Sequence, residues 1–395
     1  VDPAWRRSDR LARVALSFLA EPGDQVLGTL LRSFGPAGSL DLLLGDTDGP
    51  DLAEASGARI RGVGISAAAA SRMIGRMRAR LAGLPSPGRL DLWHGAGFRL
   101  VCPGEAEWPT QLDDLGEARP VVLWLRGEAD LRFGCLRSVA VVGSRAATAY
   151  GSVVATEFAA DLAGRGLVVI SGGAYGIDAS AHRGALAVGG MTVAVLAGGL
   201  EFGYPKGHCD LFAAISRDGL LVSESPPEAA PNRPGFLVRN RVIAALSRGT
   251  VVVEAALRSG ALNTASHARE LNRPVMAVPG PVTSLQSAGC HELIRQAGAV
   301  CVTTAAEVTE LILPLDEGSA GDARDPVIPA GQLDPVTASV LRTLSSRTGR
   351  GPATIATLAG VDLDTALRCL GLLSAAGYAE RCDRGWRARR AGPAG

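Results

Sequence analysis

Between residues 121 and 278 the chain repeats one cycle: a short apolar run, a glycine or polar turn, then a helix-compatible stretch. The runs are Val121 to Leu125, Val139 to Val142, Leu167 to Ile170, Thr192 to Leu196, Leu220 to Val222, Thr250 to Val253 and Pro274 to Val278. Runs of this length without alternation suit strands buried on both faces. Helices are predicted from about Tyr150 to Ala163 and from the Asp178 region to Val188. Strands alternating with helices dictate an α/β fold, a doubly wound parallel sheet. In such a sheet, ligands bind beyond the carboxyl ends of the strands.

Several polar or glycine-rich turns fall at those ends: Gly143-Ser144-Arg145, the loop from Ser171 through Gly172 and Gly173 to Asp178, Gly198-Gly199, Glu254, and Ser259-Gly260. Together they describe an anion-binding rim, although structural turns explain any one of them. Neither Gly-x-Gly-x-x-Gly nor a P-loop is present, so the usual dinucleotide and triphosphate signatures are missing. Asp178 and His182, four apart, share a helical face and read as structural. Glu254 reads as a general acid or base, or as a partner for an arginine of the rim, with pairing preferred.

The stretch Gly235-Phe236-Leu237-Val238-Arg239-Asn240-Arg241 adds an aromatic ring to two arginines. Guanidinium forks match phosphate oxygens, and a flat ring stacks on any base. The apolar run Val242 to Leu246 predicts a helix, which would put these arginines near its start. The other reading makes Phe236 core and pairs the arginines with acids. Net charge is only +1, and Lys206 is the single lysine among 40 basic residues. An arginine here therefore carries weight only through its neighbours. The seven cysteines form no CxxC pair, which argues against a disulfide framework or zinc site and for the reducing cytoplasm. No run approaches the ~18 apolar residues of a membrane span, and no secretory signal is legible. No metal or cofactor is expected.

The flanks differ from the sheet region. Residues 1–85 read as small helices, with the turn Ile60-Arg61-Gly62-Val63-Gly64-Ile65-Ser66 resembling a helix-hairpin-helix; a plain helical packing module is the other reading. Residues 316–331 read as a linker. Residues 332–390 predict three helices and a hairpin, a winged helix. Its Arg-rich end, 381–390, suits either a DNA-contacting wing or a protein-docking module with a solvated tail.

Eight linked motifs resemble one family in order and spacing. They are Val141-Val142-Gly143-Ser144-Arg145, Ser171 through Asp178, Tyr204-Pro205, Ser223-Glu224, Arg239-Asn240-Arg241, Val253-Glu254-Ala255, Ser259-Gly260 and Pro279-Gly280. The family is DprA, the DNA processing proteins of natural transformation, and the resemblance is strong over roughly 90–312. It implies an extended Rossmann-like domain over 86–315, a SAM-like domain over 1–85 and a winged helix over 332–390. It further implies a non-enzymatic homodimer that binds and protects incoming single-stranded DNA and helps load a RecA-type recombinase. By that resemblance Arg145 is the phosphate-binding arginine, and Arg233, Phe236, Arg239 and Arg241 belong to the DNA-binding segment, with Phe236 stacking on a base. Ser144, Gly172, Gly173, Lys206, Gly235 and Asn240 complete the expected DNA-binding set. Ala197, Glu201 and Leu237 depart from residues common in the family. A self-complementary dimer patch is expected late in the sheet domain, such as Leu293 to Ala297. Two other functions compete: a nucleoside-monophosphate enzyme like the cytokinin-activating phosphoribohydrolases, whose Pro-Gly-Gly-x-Gly-Thr-x-x-Glu loop is lacking, and a winged-helix transcriptional regulator.

Overall fold

In the computed structural model, residues 2–45, 66–313, 333–345, 349–382 and 385–388 are described. They divide into two compact units, Val1–Ile312 and Leu313–Gly395. The first contains helices α1 (Asp9–Leu19), α2 (Gln25–Leu44), α3 (Ala67–Arg80), α4 (Arg89–Gly95), α5 (Leu131–Leu136), α6 (Ala149–Gly164), α7 (Ile177–Ala187), α8 (Cys209–Asp218), α9 (Arg233–Leu246), α10 (Gly260–Glu270), α11 (Ala288–Gln296) and α12 (Ala305–Ile312). Its strands are β1 (Phe98–Val101), β2 (Leu123–Arg126), β3 (Ser138–Val142), β4 (Val168–Ser171), β5 (Thr192–Leu196), β6 (Leu220–Ser223), β7 (Thr250–Val252), β8 (Val275–Ala277) and β9 (Val300–Cys301).

These strands form one sheet in the order β1-β2-β6-β5-β4-β3-β7-β8-β9. The strands from β3 to β9 pair in parallel, as the apolar cycle predicts. β2 lies antiparallel on β6, and β1 antiparallel on β2. Strand order reverses at β3, which pairs with both β4 and β7. The carboxyl ends of β3 and β7 therefore flank the topological switch point.

Alternate residues of one strand serve opposite faces. Trp124, Ala194, Leu196 and Leu221 belong to a core that also contains Trp5, Leu16, Leu30, Ile74 and Trp93. Leu123, Leu125, Val193, Val195, Leu220 and Val222 face a second core, with Val242 to Leu246 of α9 and Ala261, Ala265 and Ala268 of α10. The N-terminal helices thus bury their apolar sides against the sheet, and one continuous core crosses the expected boundary at residue 85. Gly35, with φ 71°, breaks α2 ahead of Pro36. Residues 60–65 of the expected turn and the whole linker expected at 316–331 lie outside the described residues. Leu293 of the expected dimer patch packs into the second core.

The second unit has helices α13 (Pro335–Thr343), α14 (Pro352–Ala359) and α15 (Leu363–Ala375), and strands β10 (Ala379–Cys382) and β11 (Gly385–Ala388) in an antiparallel hairpin. Asp334 caps α13 ahead of Pro335, and Asp362 caps α15. Val340, Ile355, Leu370, Leu373 and Ala379 form a core of its own. Residue Arg350 bridges to Trp386 of the hairpin. Three helices with a hairpin are the arrangement of a winged helix. Of the Arg-rich end, 383–384 and 389–390 lie outside the described residues.

Candidate nucleic-acid interface

The switch point, where an open α/β sheet ordinarily receives a phosphate, is filled by the chain itself. Glu254 follows β7 and is almost fully buried. Its carboxylate accepts from the Thr148 backbone N–H at 2.9 Å and the Thr148 hydroxyl at 2.6 Å. Thr148 is the N-cap of α6, so an internal anion occupies the positive end of that helix. Among the described residues no arginine pairs with Glu254; the backbone amide and hydroxyl of Thr148 are its partners instead. Ser144 is buried beside it, donating its N–H to the Glu254 carbonyl at 2.7 Å and accepting from Ala146 N–H on its hydroxyl.

The glycine loop after β4 is filled in the same manner. Asp178 accepts from the N–H groups of Gly172 at 3.1 Å and Ala174 at 3.3 Å. Burial raises its pKa, and the Arg239 charge and these N–H groups oppose that rise. His182, on the same helical face, is fully buried and bonded to Thr192, which agrees with the structural reading. The backbone amides that looked like a phosphate nest are thus engaged within the protein.

Arg239, Asn240 and Arg241 are not near a helix start. α9 begins at Arg233, because Asn232 caps it by accepting from Gly235 N–H at 2.7 Å and Pro234 suits the first turn. That places the Arg-Asn-Arg run two turns further in, on the side facing the sheet. Arg239 is 7% exposed and Arg241 5%. Arg239 donates to the carbonyls of Gly172 and Val195, at the ends of β4 and β5. A Cβ at position 172 would lie 2.6 Å from that guanidinium, so glycine is needed there for close approach. Burial lowers the Arg239 pKa to about 10, against the opposing pull of Asp178. Arg241 makes a bidentate pair with Glu224 at 2.5 and 2.7 Å and donates to the Ala118 carbonyl. Asn240 bonds to Gly260 and Asn263 of α10. Pairing with an acid, the other reading of the arginines, is seen at Arg241, whereas Arg239 donates to main-chain carbonyls. Gly173, also buried, lies against Phe212 and gives its carbonyl to His208.

The remaining residues of the expected set lie at least partly exposed, and two of them, Arg145 and Phe236, are in contact. Arg145, Lys206 and Arg233 are exposed, Gly235 and Phe236 partly so. The Arg145 guanidinium lies over the Phe236 ring, 4.8 Å from its centroid, at cation–π distance. The Tyr204 ring stands beside Phe236, centroids 5.6 Å apart and tilted by 59°, and is 50% exposed. Sequence reasoning used Tyr204 only as a motif marker. Its signal was an aromatic residue in a glycine-proline-lysine turn, in a chain where aromatics are 4% of residues. The surface therefore carries guanidinium and ammonium groups around a two-ring aromatic step, above a rim whose own anion sites are occupied.

Residues 99–313 match the family model described as DNA recombination-mediator protein A. A Mycobacterium tuberculosis protein bearing the DNA-processing name DprA is 42% identical over 99% of this chain and 96% of its own length. The DNA processing protein DprA of Streptococcus pneumoniae is 43% identical over 51% of this chain and 70% of its own length. The crystal structure of a Streptococcus pneumoniae DprA superposes with a TM-score of 0.60 and 31% identity, covering 78% of this chain and 99% of the other.

Proposed function

The chain belongs to the DNA recombination-mediator protein A family, and from that premise we propose that it binds single-stranded DNA on the carboxyl edge of its sheet. Arg145, Lys206 and Arg233 take the phosphates, and Phe236 with Tyr204 takes a base. The observation that carries this reading is the Arg145–Phe236–Tyr204 cluster: a cation and two rings, exposed together. Backbone charge neutralisation with base stacking suits a single strand without selecting its sequence. Gly235 lies in the first turn of α9 beside Phe236, and Ser144, Gly172, Gly173, Arg239, Asn240 and Arg241 act one layer below. They hold the β3, β4 and β5 loops and α9 in position, while Glu254 and Asp178 keep mobile phosphate out of the rim.

The role is that of a recombination mediator in DNA processing during natural transformation, and it acts by binding rather than turnover. It protects the incoming strand in the cytoplasm and passes it to a RecA-type recombinase. It works as a homodimer, since two linked strand sites raise effective concentration on one DNA molecule. A mononucleotide-processing enzyme needs an open phosphate site at the switch point, and Glu254 occupies it.

Competition for a labelled oligonucleotide tests the reading. Unlabelled single strand should displace it, duplex of the same length should do so much less well, and a nucleoside monophosphate should not at comparable phosphate concentration. Equal displacement by the mononucleotide would sink it. Light scattering with and without oligonucleotide tests the dimer.

A further inference from the structure

The rim carries a second exposed ring that the cluster above does not use. Tyr175, in the loop between β4 and α7, is 49% exposed. It is braced from behind: its ring meets His208 edge-on, centroids 4.5 Å apart and 68° between planes. His208 in turn is buried, donates from Nδ1 to the Gly173 carbonyl at 3.0 Å, and packs edge-on against Phe212. The loop is tied to the one bearing Arg145, since Ile177 N–H bonds to the Ser144 carbonyl at 3.1 Å. The Tyr175 hydroxyl lies close over Gly207, where a Cβ would stand 2.6 Å from it.

Two platforms therefore bracket one basic segment. Phe236 contacts Tyr204 at one end of residues 204–207, Tyr175 covers Gly207 at the other, and exposed Lys206 lies between them. We propose that Tyr175 is a second base-stacking residue, so that the site engages two bases of one strand, with Lys206 on the phosphates between. The proposal rests on the single-strand reading and deepens it. An aromatic ring that is half exposed yet fixed on its inner side loses little conformational freedom when a base lands on it. Its outer face is free, and bases of any identity offer a partner.

Titration of a fluorescent oligothymidylate into the full chain tests this. Tyr175→Ala should weaken binding about 5- to 150-fold, the range for loss of one stacked base, with an unchanged salt slope because no phosphate contact is removed. Tyr175→Phe should bind like the parent. Tyr175→Leu keeps apolar bulk against His208 and guards against a folding defect; it should fall with the alanine variant. Ultraviolet cross-linking of an iodouracil-substituted strand should yield an adduct on Tyr175. Binding by Tyr175→Ala and Tyr175→Leu within about twofold of the parent, with no adduct, overturns the second platform. If Phe236→Ala and Arg145→Ala still bind weakly in that case, the single-strand reading stands without it. If none of the four variants loses affinity, the single-strand reading itself fails.

Discussion

Phe236 has a cation over one face and a tyrosine beside it, and is only partly buried. Its truncation therefore removes contact surface more than core. Phe236→Ala should keep its melting temperature nearly unchanged and lose about 1–3 kcal/mol of single-strand affinity. A large melting loss with normal affinity in the folded fraction would make the ring structural instead. The two arginines read alike from sequence separate sharply. Arg145→Ala should lower affinity for all strands and reduce the log-salt slope by about 0.7 per lost phosphate contact. Arg241→Ala strands a buried Glu224 carboxylate and should cost about 3–5 kcal/mol of stability, seen in denaturant melts; an unaffected melt would remove that pair from the fold's supports. His182 offers a pH test. Thr192 gives its hydroxyl hydrogen to the Val169 carbonyl at 2.6 Å, so His182 Nδ1 donates to Thr192 at 2.8 Å. Burial pushes this imidazole down to about 3 from an ordinary 6.5. Between those values the unfolded chain takes up a proton that the folded chain refuses. Stability should thus fall as pH drops below about 6.5, by up to about 1.4 kcal/mol per pH unit from this group. His182→Asn keeps a donor for Thr192 and cannot titrate, so its stability deficit should shrink as pH falls from 7 to 5. A deficit independent of pH contradicts a buried neutral imidazole.

Crossovers between elements decide which anion sites remain open. α6 starts directly over the Glu254 carboxylate, and β7 delivers that carboxylate from the neighbouring strand. Glu254→Ala leaves half-buried donors of Thr148 unpaired and should cost about 1 kcal/mol. Glu254→Gln keeps an acceptor oxygen and should recover part of it. Urea unfolding of both variants checks this, and an alanine variant as stable as the parent would show that the carboxylate contributes nothing there. α9 shows the same logic from the other side. Its N-cap at Asn232 starts the helix early enough to turn Arg239 and Arg241 inward and leave Arg233 and Phe236 on the outer turn.

The first unit is larger than the family-matching segment alone. Trp93, Trp124 and Leu221 share a core with Trp5, Leu16 and Leu30 from the helical N-terminus. Expressing 86–313 would expose those rings to water, whereas 1–312 keeps both cores of the unit. The longer fragment should be soluble, melt cooperatively and bind single strands like the full chain; the shorter should aggregate or melt well below it. A monodisperse, equally stable 86–313 fragment would mean that the N-terminal helices are a separate domain after all.

The strand–glycine–helix cycle determined the parallel sheet from local sequence, because strands buried on both faces must be apolar throughout and must end where the chain turns. The three helices and hairpin of the second unit were legible for the same reason: each is decided by neighbours in sequence. The linked motifs also carried the family. β1 and β9 were not legible, one a short edge strand lacking an apolar run and the other two residues long. Nor could sequence tell Arg145 from Arg241. Both are arginines near polar turns, and only long-range packing puts Glu224 against one and the Phe236 ring against the other. The glycine loops looked like empty anion nests because the carboxylates that fill them arrive from elsewhere: Glu254 from across the switch point, Asp178 from the next helix. Whether a backbone amide or a guanidinium is available to a ligand depends on what the fold has already placed on it.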